Sequence, residues 1–89
     1  MNEFLLELYV PRGEPIRAEA GAERARREAD RLTGQGRIVR FVRTIFVPED
    51  ETCFFLFEAA SVDAVRETAQ LAGLRFDRIT EAVSGRPPT

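Results

Sequence analysis

Large apolar residues occupy every second position near the start of the chain. They alternate with other residues between positions 3 and 10, and this period of two predicts a half-buried β-strand. One face of the strand would carry Phe4, Leu6, Leu8 and Val10, and the other would carry Leu5, Glu7 and Tyr9. Two prolines and a glycine follow at positions 11–15, so we expect the strand to end there.

A helical period replaces the alternation at positions 18–32. The apolar stripe of this helix is narrow and is formed by Ala22, Ala25, Ala29 and Leu32. Side chains this small allow a helix to lie close to a sheet, and the charged residues between them favour an exposed outer side. Positions 33–36 contain two glycines, which predicts that the helix ends there with glycine in the left-handed cap.

Two long strands and a second helix follow. Positions 37–47 and 52–59 are rich in Ile, Val and Phe, and the short polar turn between them predicts an antiparallel hairpin. Ser61 can cap the next helix, and Gly73 would end it. The inner stripe of this helix would be formed by Val62, Val65, Ala69 and Ala72.

A short last strand at positions 76–83 completes the order β-α-β-β-α-β. Because βαβ crossovers are right-handed, two such units interleave into a four-stranded antiparallel sheet with both helices on one face. The sequence therefore predicts an α+β protein with the ferredoxin-like βαββαβ architecture. We expect a single domain at residues 1–84 and a flexible tail at residues 85–89, where glycine and proline are concentrated.

One face of the predicted sheet has no helix. If the hairpin pairs Val47 with Thr52, the same register places Phe41 opposite Glu58 on this face, and Val42 opposite Phe57 on the other. The helix side would receive the residues that lack carboxylates, which include Cys53, Phe55 and Phe57. We predict that a pocket or dimer interface on the helix-free face is formed by Glu7, Tyr9, Phe41, Arg43, Phe54 and Glu58, beside Leu5, Val39, Ile45 and Leu56.

A monomer rarely leaves an apolar face of this size exposed, so we expect two sheets to pack face to face in a homodimer. A charged group inside such an interface needs a partner, and Arg43 is expected to pair with Glu7 or Glu58. Two interpretations stay open. Either Arg43 holds an anionic ligand in a pocket between the sheets, with a carboxylate as acid or base, or an ion pair only fixes the register of the dimer.

The composition excludes several classes of protein. All 13 basic residues are arginine, and the chain of 89 residues has no histidine, so Schiff-base chemistry on lysine and catalysis by imidazole are excluded. The net charge of −2 disfavours a nucleic-acid partner. The chain has no apolar run that could span a membrane, and its first residues do not resemble a signal peptide. A single cysteine is consistent with a reducing compartment, so we expect a cytoplasmic protein.

The single cysteine and the acidic turn are both interpreted as structural features without a chemical role. No histidine is available to activate Cys53, and we predict that its thiol fills the core as a small apolar group. The three carboxylates at positions 49–51 do not have the spacing of a calcium-binding loop. We therefore predict a turn whose side chains are exposed to solvent.

A longer pattern extends over most of the chain. It comprises the acidic turn before Cys53, the aromatic residues before Glu58 and Ala59, the helical pair Arg66-Glu67, and Ile79-Thr80-Glu81 in the last strand. With this pattern, residues 3–83 resemble a family of small bacterial proteins of unassigned function that is often labelled "nickel-binding protein". The resemblance implies a ferredoxin-like fold and a homodimer.

The resemblance also implies where nickel would bind. In the family that this chain resembles, members often carry histidine at the positions that match Arg43 and Thr68, and nickel favours nitrogen-rich sites. Neither residue is a nickel ligand in this chain, so we predict no cofactor and no specific nickel site.

Two functions remain open from the residues, and a third, a nickel carrier, is implied by the family resemblance alone and is the one that these residues support least. The first is a binding or accessory module whose paired sheets enclose a small or anionic molecule. The alternative is a cofactor-free enzyme of the dimeric α+β barrel type (a monooxygenase, isomerase or cyclase) that uses a carboxylate between the sheets. The enzyme needs a carboxylate that is reached from solvent and whose pKa is raised by burial, whereas the module needs the charged residues to be paired.

Overall fold

The computed structural model describes residues 1–85, and the rest of the predicted tail lies outside the described residues. The elements are β1 (Asn2–Tyr9), α1 (Pro15–Gly34), β2 (Val39–Val47), a 3₁₀ turn (Pro48–Asp50), β3 (Thr52–Ala59), α2 (Val62–Leu71) and β4 (Arg78–Ala82). The strands form one antiparallel sheet in the order β2-β3-β1-β4. The predicted ferredoxin-like α+β fold is therefore confirmed.

The core lies between one face of the sheet and the two helices. The sheet contributes large side chains, among them Leu6, Phe55 and Phe57, which are fully buried. The helices contribute mostly alanine, as predicted, and the small side chains let the helices approach the aromatic rings closely. Cys53 is fully buried in the same core, also as predicted. Thr68 is the buried polar residue of α2, and its hydroxyl donates a hydrogen bond to the Ala64 carbonyl at 2.8 Å.

Both helices end in the same arrangement of backbone hydrogen bonds. In α1, Arg37 N donates to Leu32 O at 2.9 Å, and Gly36 N donates to Thr33 O at 3.0 Å. In α2, the corresponding donors are the amides of Leu74 and Gly73. These are Schellman caps, and each requires the left-handed backbone of its glycine, where φ is +90° and +68°. Glycine therefore ends both helices, as the sequence predicts.

The hairpin between β2 and β3 has the predicted register over half of its length. Val47 pairs with Thr52, and the pairs continue without a break to Arg43 and Leu56. Between Arg43 and Phe41 the register shifts by one residue, so Val42 forms a β-bulge.

Because of the bulge, the predicted positions of Phe41 and Val39 on the helix-free face are wrong. Phe41 lies opposite Phe57 rather than Glu58, and Val39 lies opposite Ala59. One extra residue in a strand reverses the faces of all the side chains beyond it. Phe41 and Val39 therefore point into the core, where both are buried, and not onto the helix-free face. The ring of Phe41 contacts the rings of Phe55 and Phe57 edge to face, with centroids 5.4 Å apart in both pairs. The expected pairing of Val42 with Phe57 is likewise wrong.

Although α1 has 20 residues, no helix among the described residues is long and apolar enough to cross a membrane.

Candidate functional site: the open face of the sheet

The open face is the side of the sheet that faces away from the two helices. Because directly paired residues share a face, the register defines its members. It consists of Glu3, Leu5, Glu7 and Tyr9 on β1, Arg40, Arg43, Ile45 and Val47 on β2, Thr52, Phe54, Leu56 and Glu58 on β3, and Arg78, Thr80 and Ala82 on β4. Five of the six predicted site residues lie on this face, and Phe41 is the exception.

Apolar side chains form the middle of the open face. Leu5 and Leu56 are direct neighbours on the two central strands, and Phe54 and Ile45 are paired in the next row. Leu56 is only 8% exposed although no helix lies over it, whereas Ile45 is 38% exposed on the edge strand. Tyr9 lies at the end of β1 and is 61% exposed. The open face thus has an apolar centre that becomes progressively more accessible towards β2 and the end of β1.

Ion pairs flank this apolar centre. Glu7 accepts a hydrogen bond from Nε of Arg78 at 3.0 Å, across the pairing of β1 with β4. Glu58 accepts from Nε of Arg40 at 2.9 Å, across the pairing of β2 with β3. Within one chain Arg43 therefore pairs with neither Glu7 nor Glu58, because each carboxylate has a different arginine directly opposite.

The two arginines that hold the carboxylates were not among the predicted site residues. Arg78 could have been found from the sequence, since it lies within the predicted last strand at a position that can face Glu7. Arg40 could not, because only the bulge at Val42 brings it opposite Glu58.

Arg43 is left without a carboxylate. It lies on the edge strand β2 beside Leu56, and it makes no ion pair or side-chain hydrogen bond with any residue in the described part of the chain. The third carboxylate of the open face, that of Glu3, accepts a hydrogen bond from the hydroxyl of Ser84. The guanidinium of Arg43 is therefore available to an anion.

The residues of the chain do not fit a nickel ion. Within residues 1–85, no group of three or more His, Cys, Asp or Glu side chains is arranged to hold a metal. Cys53, the only thiol, is in the core, where burial raises its pKa to about 11 and so opposes the thiolate that binds metals. The hydroxyl of Thr68, one of the two positions at which the sequence resemblance led us to expect histidine, donates its hydrogen bond inside α2.

The buried thiol makes stability depend on alkaline pH. Burial raises the pKa of Cys53 from 9.0 to about 11, so the folded state keeps the thiol proton to higher pH than the unfolded chain does. The resulting contribution to the free energy of unfolding, about 3 kcal/mol, is present below pH 9 and is lost as the pH rises to 11. Urea denaturation between pH 8 and pH 11 should show this decrease in the free energy of unfolding in the wild type, and Cys53→Ala should show a smaller decrease over the same pH range. An equal decrease in Cys53→Ala would contradict the attribution of this pH dependence to the Cys53 thiol.

The structure and the sequence both match known proteins. The chain resembles the crystal structure of SCO4226 from Streptomyces coelicolor A3(2) with a TM-score of 0.61 and 20% sequence identity, over 94% of this chain and 99% of that one. At this identity the likeness concerns the fold alone. A search of curated proteins finds no significant match. The sequence model of the family described as "Nickel responsive protein SCO4226-like" matches residues 4–82, and the chain therefore belongs to this family.

Proposed function

We propose that this protein is a homodimeric binding module in which two copies pack through their open faces and Arg43 holds a small anionic molecule between them. The observation that carries the proposal is the arrangement of charge on the open face. Both flanking carboxylates are engaged by arginines, the centre is apolar, and Arg43 alone among these arginines has no partner within residues 1–85.

The occupant that best suits the open face is a second copy of the chain. An apolar centre with a polar rim is the usual composition of a protein interface. The strands place three arginines and three glutamates on this face, so it has no net charge although the whole chain carries −2. Two copies can therefore meet face to face without the repulsion that their net charges would cause elsewhere. The ion pairs at the rim also satisfy charges that would otherwise oppose burial.

The unpaired guanidinium of Arg43 at the proposed interface supports an anionic ligand. Closing the interface would remove water from Arg43, and a guanidinium that loses water without gaining a partner destabilises the interface. A carboxylate or phosphate group matches the planar donors of arginine in geometry and charge. The ligand would lie near Leu56 and Ile45, so an apolar body attached to the anionic group is expected.

The alternative function, a cofactor-free enzyme, is less well supported. Such an enzyme needs a carboxylate on the open face that can take up or release a proton. Glu7 and Glu58 both accept hydrogen bonds from arginines, and this ionic pairing favours a positioning role over proton transfer. A binding module, by contrast, needs the charged residues of its interface to be paired, as Glu7 and Glu58 are.

We propose further that this chain does not bind nickel tightly, although its family is described as nickel responsive. The chain lacks histidine, and its only thiol is buried. Isothermal calorimetry with Ni²⁺ at neutral pH should show no stoichiometric binding at micromolar affinity. Tight binding of one nickel ion per chain or per dimer would contradict this proposal.

Arg43→Gln is the variant that tests the proposed ligand site. Native mass spectrometry of the wild type should show a dimer with additional mass, and Arg43→Gln should give a dimer that has lost this mass. Arg27→Gln is the matched control, since it removes the same charge from the exposed side of α1 and away from the open face, and it should retain the ligand. If Arg43→Gln dissociates the dimer instead, Arg43 pairs with a carboxylate of the second copy and holds no ligand. A wild-type dimer without additional mass, observed under gentle conditions, would also contradict the ligand.

A further inference from the structure

A second candidate site lies on the opposite side of the sheet from the open face. A cleft of about 490 Å³ opens between α1 and the segment that connects α2 to β4. This volume is within the range of pockets that bind small molecules. The cleft is lined by Leu8, Tyr9, Val10, Arg17, Gly21, Arg24, Leu74, Arg75, Phe76 and Asp77.

The floor of the cleft is apolar. Leu8 and Val10 come from the buried side of β1 and its continuation, and Leu74 and Phe76 are half-buried against the core. Gly21 lies in the middle of α1, where a Cβ would come within 3.3 Å of Leu74 Cδ2. The absence of a side chain at this position lets α1 pack directly against the connecting segment. The floor therefore offers a closely packed surface to a hydrocarbon group.

The wall of the cleft is positively charged. Three arginines, Arg17, Arg24 and Arg75, line it together with one carboxylate, Asp77. This local excess of positive charge contrasts with the net charge of −2 of the chain. It therefore needs an explanation other than the general composition.

The three arginines are positioned but weakly engaged. Nε of Arg24 donates a hydrogen bond to the Ala72 carbonyl at 2.9 Å, which orients the guanidinium and leaves its two amino groups without a partner in residues 1–85. Arg17 has only a loose, exposed contact with Glu14, at 3.6 Å. Arg75 makes no ion pair with any described residue. All three can therefore turn donors towards a ligand in the cleft.

We propose that this cleft binds a small amphipathic anion, a molecule with one carboxylate group and a short apolar body. The carboxylate would be held by the arginines of the wall, and the apolar body would lie on Leu74, Phe76 and Val10. Anion recognition by several guanidinium groups beside an apolar floor requires both parts in one molecule. Tyr9 is the one lining residue that the cleft shares with the open face, and Arg43 does not line the cleft, so this site is separate from the one proposed for Arg43.

A titration of ¹⁵N-labelled protein with octanoate, followed by the amide resonances, tests the proposal. Saturable shifts are expected at Gly21, Leu74 and Phe76, and they should persist in Arg43→Gln, whereas any shifts of the Phe54 and Leu56 amides on the open face should be lost in that variant. Octanol, which has the same chain length but no charge, should bind at least fivefold more weakly. Shifts confined to the open face, no saturable binding, or equal binding of octanol and octanoate would overturn the proposal.

Charge-removal variants complete the test. Arg17→Gln and Arg75→Gln should each weaken octanoate binding about two- to fivefold, because each removes one exposed charge pair. Arg27→Gln is the matched control, since this exposed arginine of α1 does not line the cleft, and it should bind octanoate like the wild type. Amide spectra of the unliganded variants show whether each has kept its fold. An equal loss of affinity in all three variants would indicate a general charge effect and would overturn the site.

Discussion

Ile45→Arg is expected to convert the proposed dimer into a monomer. Ile45 lies on the edge strand of the open face and is 38% exposed in the single chain, so the substitution should leave the fold of the monomer intact. In a two-fold dimer the change introduces two positive charges into the same interface, close to Arg43. Burying charges without partners costs about 3–5 kcal/mol, so the dissociation constant should rise at least about a hundredfold.

Leu71→Arg is the matched control for this variant. Leu71 is also a partly exposed aliphatic residue, 49% exposed, but it lies at the end of α2 and away from the open face. Sedimentation equilibrium should therefore find a dimer for Leu71→Arg and a monomer for Ile45→Arg over the same micromolar range. Dissociation by Leu71→Arg, with Ile45→Arg still dimeric, would locate the interface on the helices instead.

Phe41→Ala is expected to cause the largest loss of stability among single substitutions on β2. Phe41 is 8% exposed and contacts two other phenylalanine rings in the core, so its removal leaves a cavity between them. Truncation of a buried phenylalanine costs about 3–5 kcal/mol, a large part of the stability of a small domain. Urea denaturation measures the loss, preferably in the Ile45→Arg background, where dimerisation does not contribute.

Phe54→Ala provides the comparison that isolates the effect of the bulge. Phe54 is only half-buried and lies on the open face, so in the same monomeric background its truncation should cost about 1 kcal/mol. In the wild-type background, by contrast, Phe54→Ala should weaken the dimer. Similar losses of monomer stability for the two variants would contradict the burial of Phe41 that the bulge produces.

The architecture could be predicted from the sequence because each local signal agrees with the fold. Alternation in β1, the alanine stripe of α1 and the glycines that cap both helices all favour the same two-layer arrangement. The bulge at Val42 could not be predicted in this way. Arg40, Phe41 and Val42 alternate plausibly in either register, and the shifted one is favoured by tertiary contacts, among them the packing of Phe41 against two other rings and the pairing of Arg40 with Glu58.

The pairing of charges on the open face was harder to predict for a related reason. A strand pattern shows that a glutamate and an arginine share a face, but not which arginine lies directly opposite. Glu7 has Arg78 opposite it on β4, and Glu58 has Arg40 opposite it once the bulge is included. The residue that remains, Arg43, was predicted as part of the site for its charge, and the proposal now depends on its having no partner on its own chain within residues 1–85.

Nuclear Overhauser contacts between two differently labelled copies test the pairing of open faces most directly. A mixture of ¹³C-labelled and unlabelled protein allows contacts between chains to be separated from those within a chain. The account predicts contacts from the methyl groups of Leu5, Ile45 and Leu56 to the ring of Phe54 in the other copy. An absence of such contacts at millimolar protein, or contacts that involve Ile16 and Leu71 on the helices instead, would contradict it.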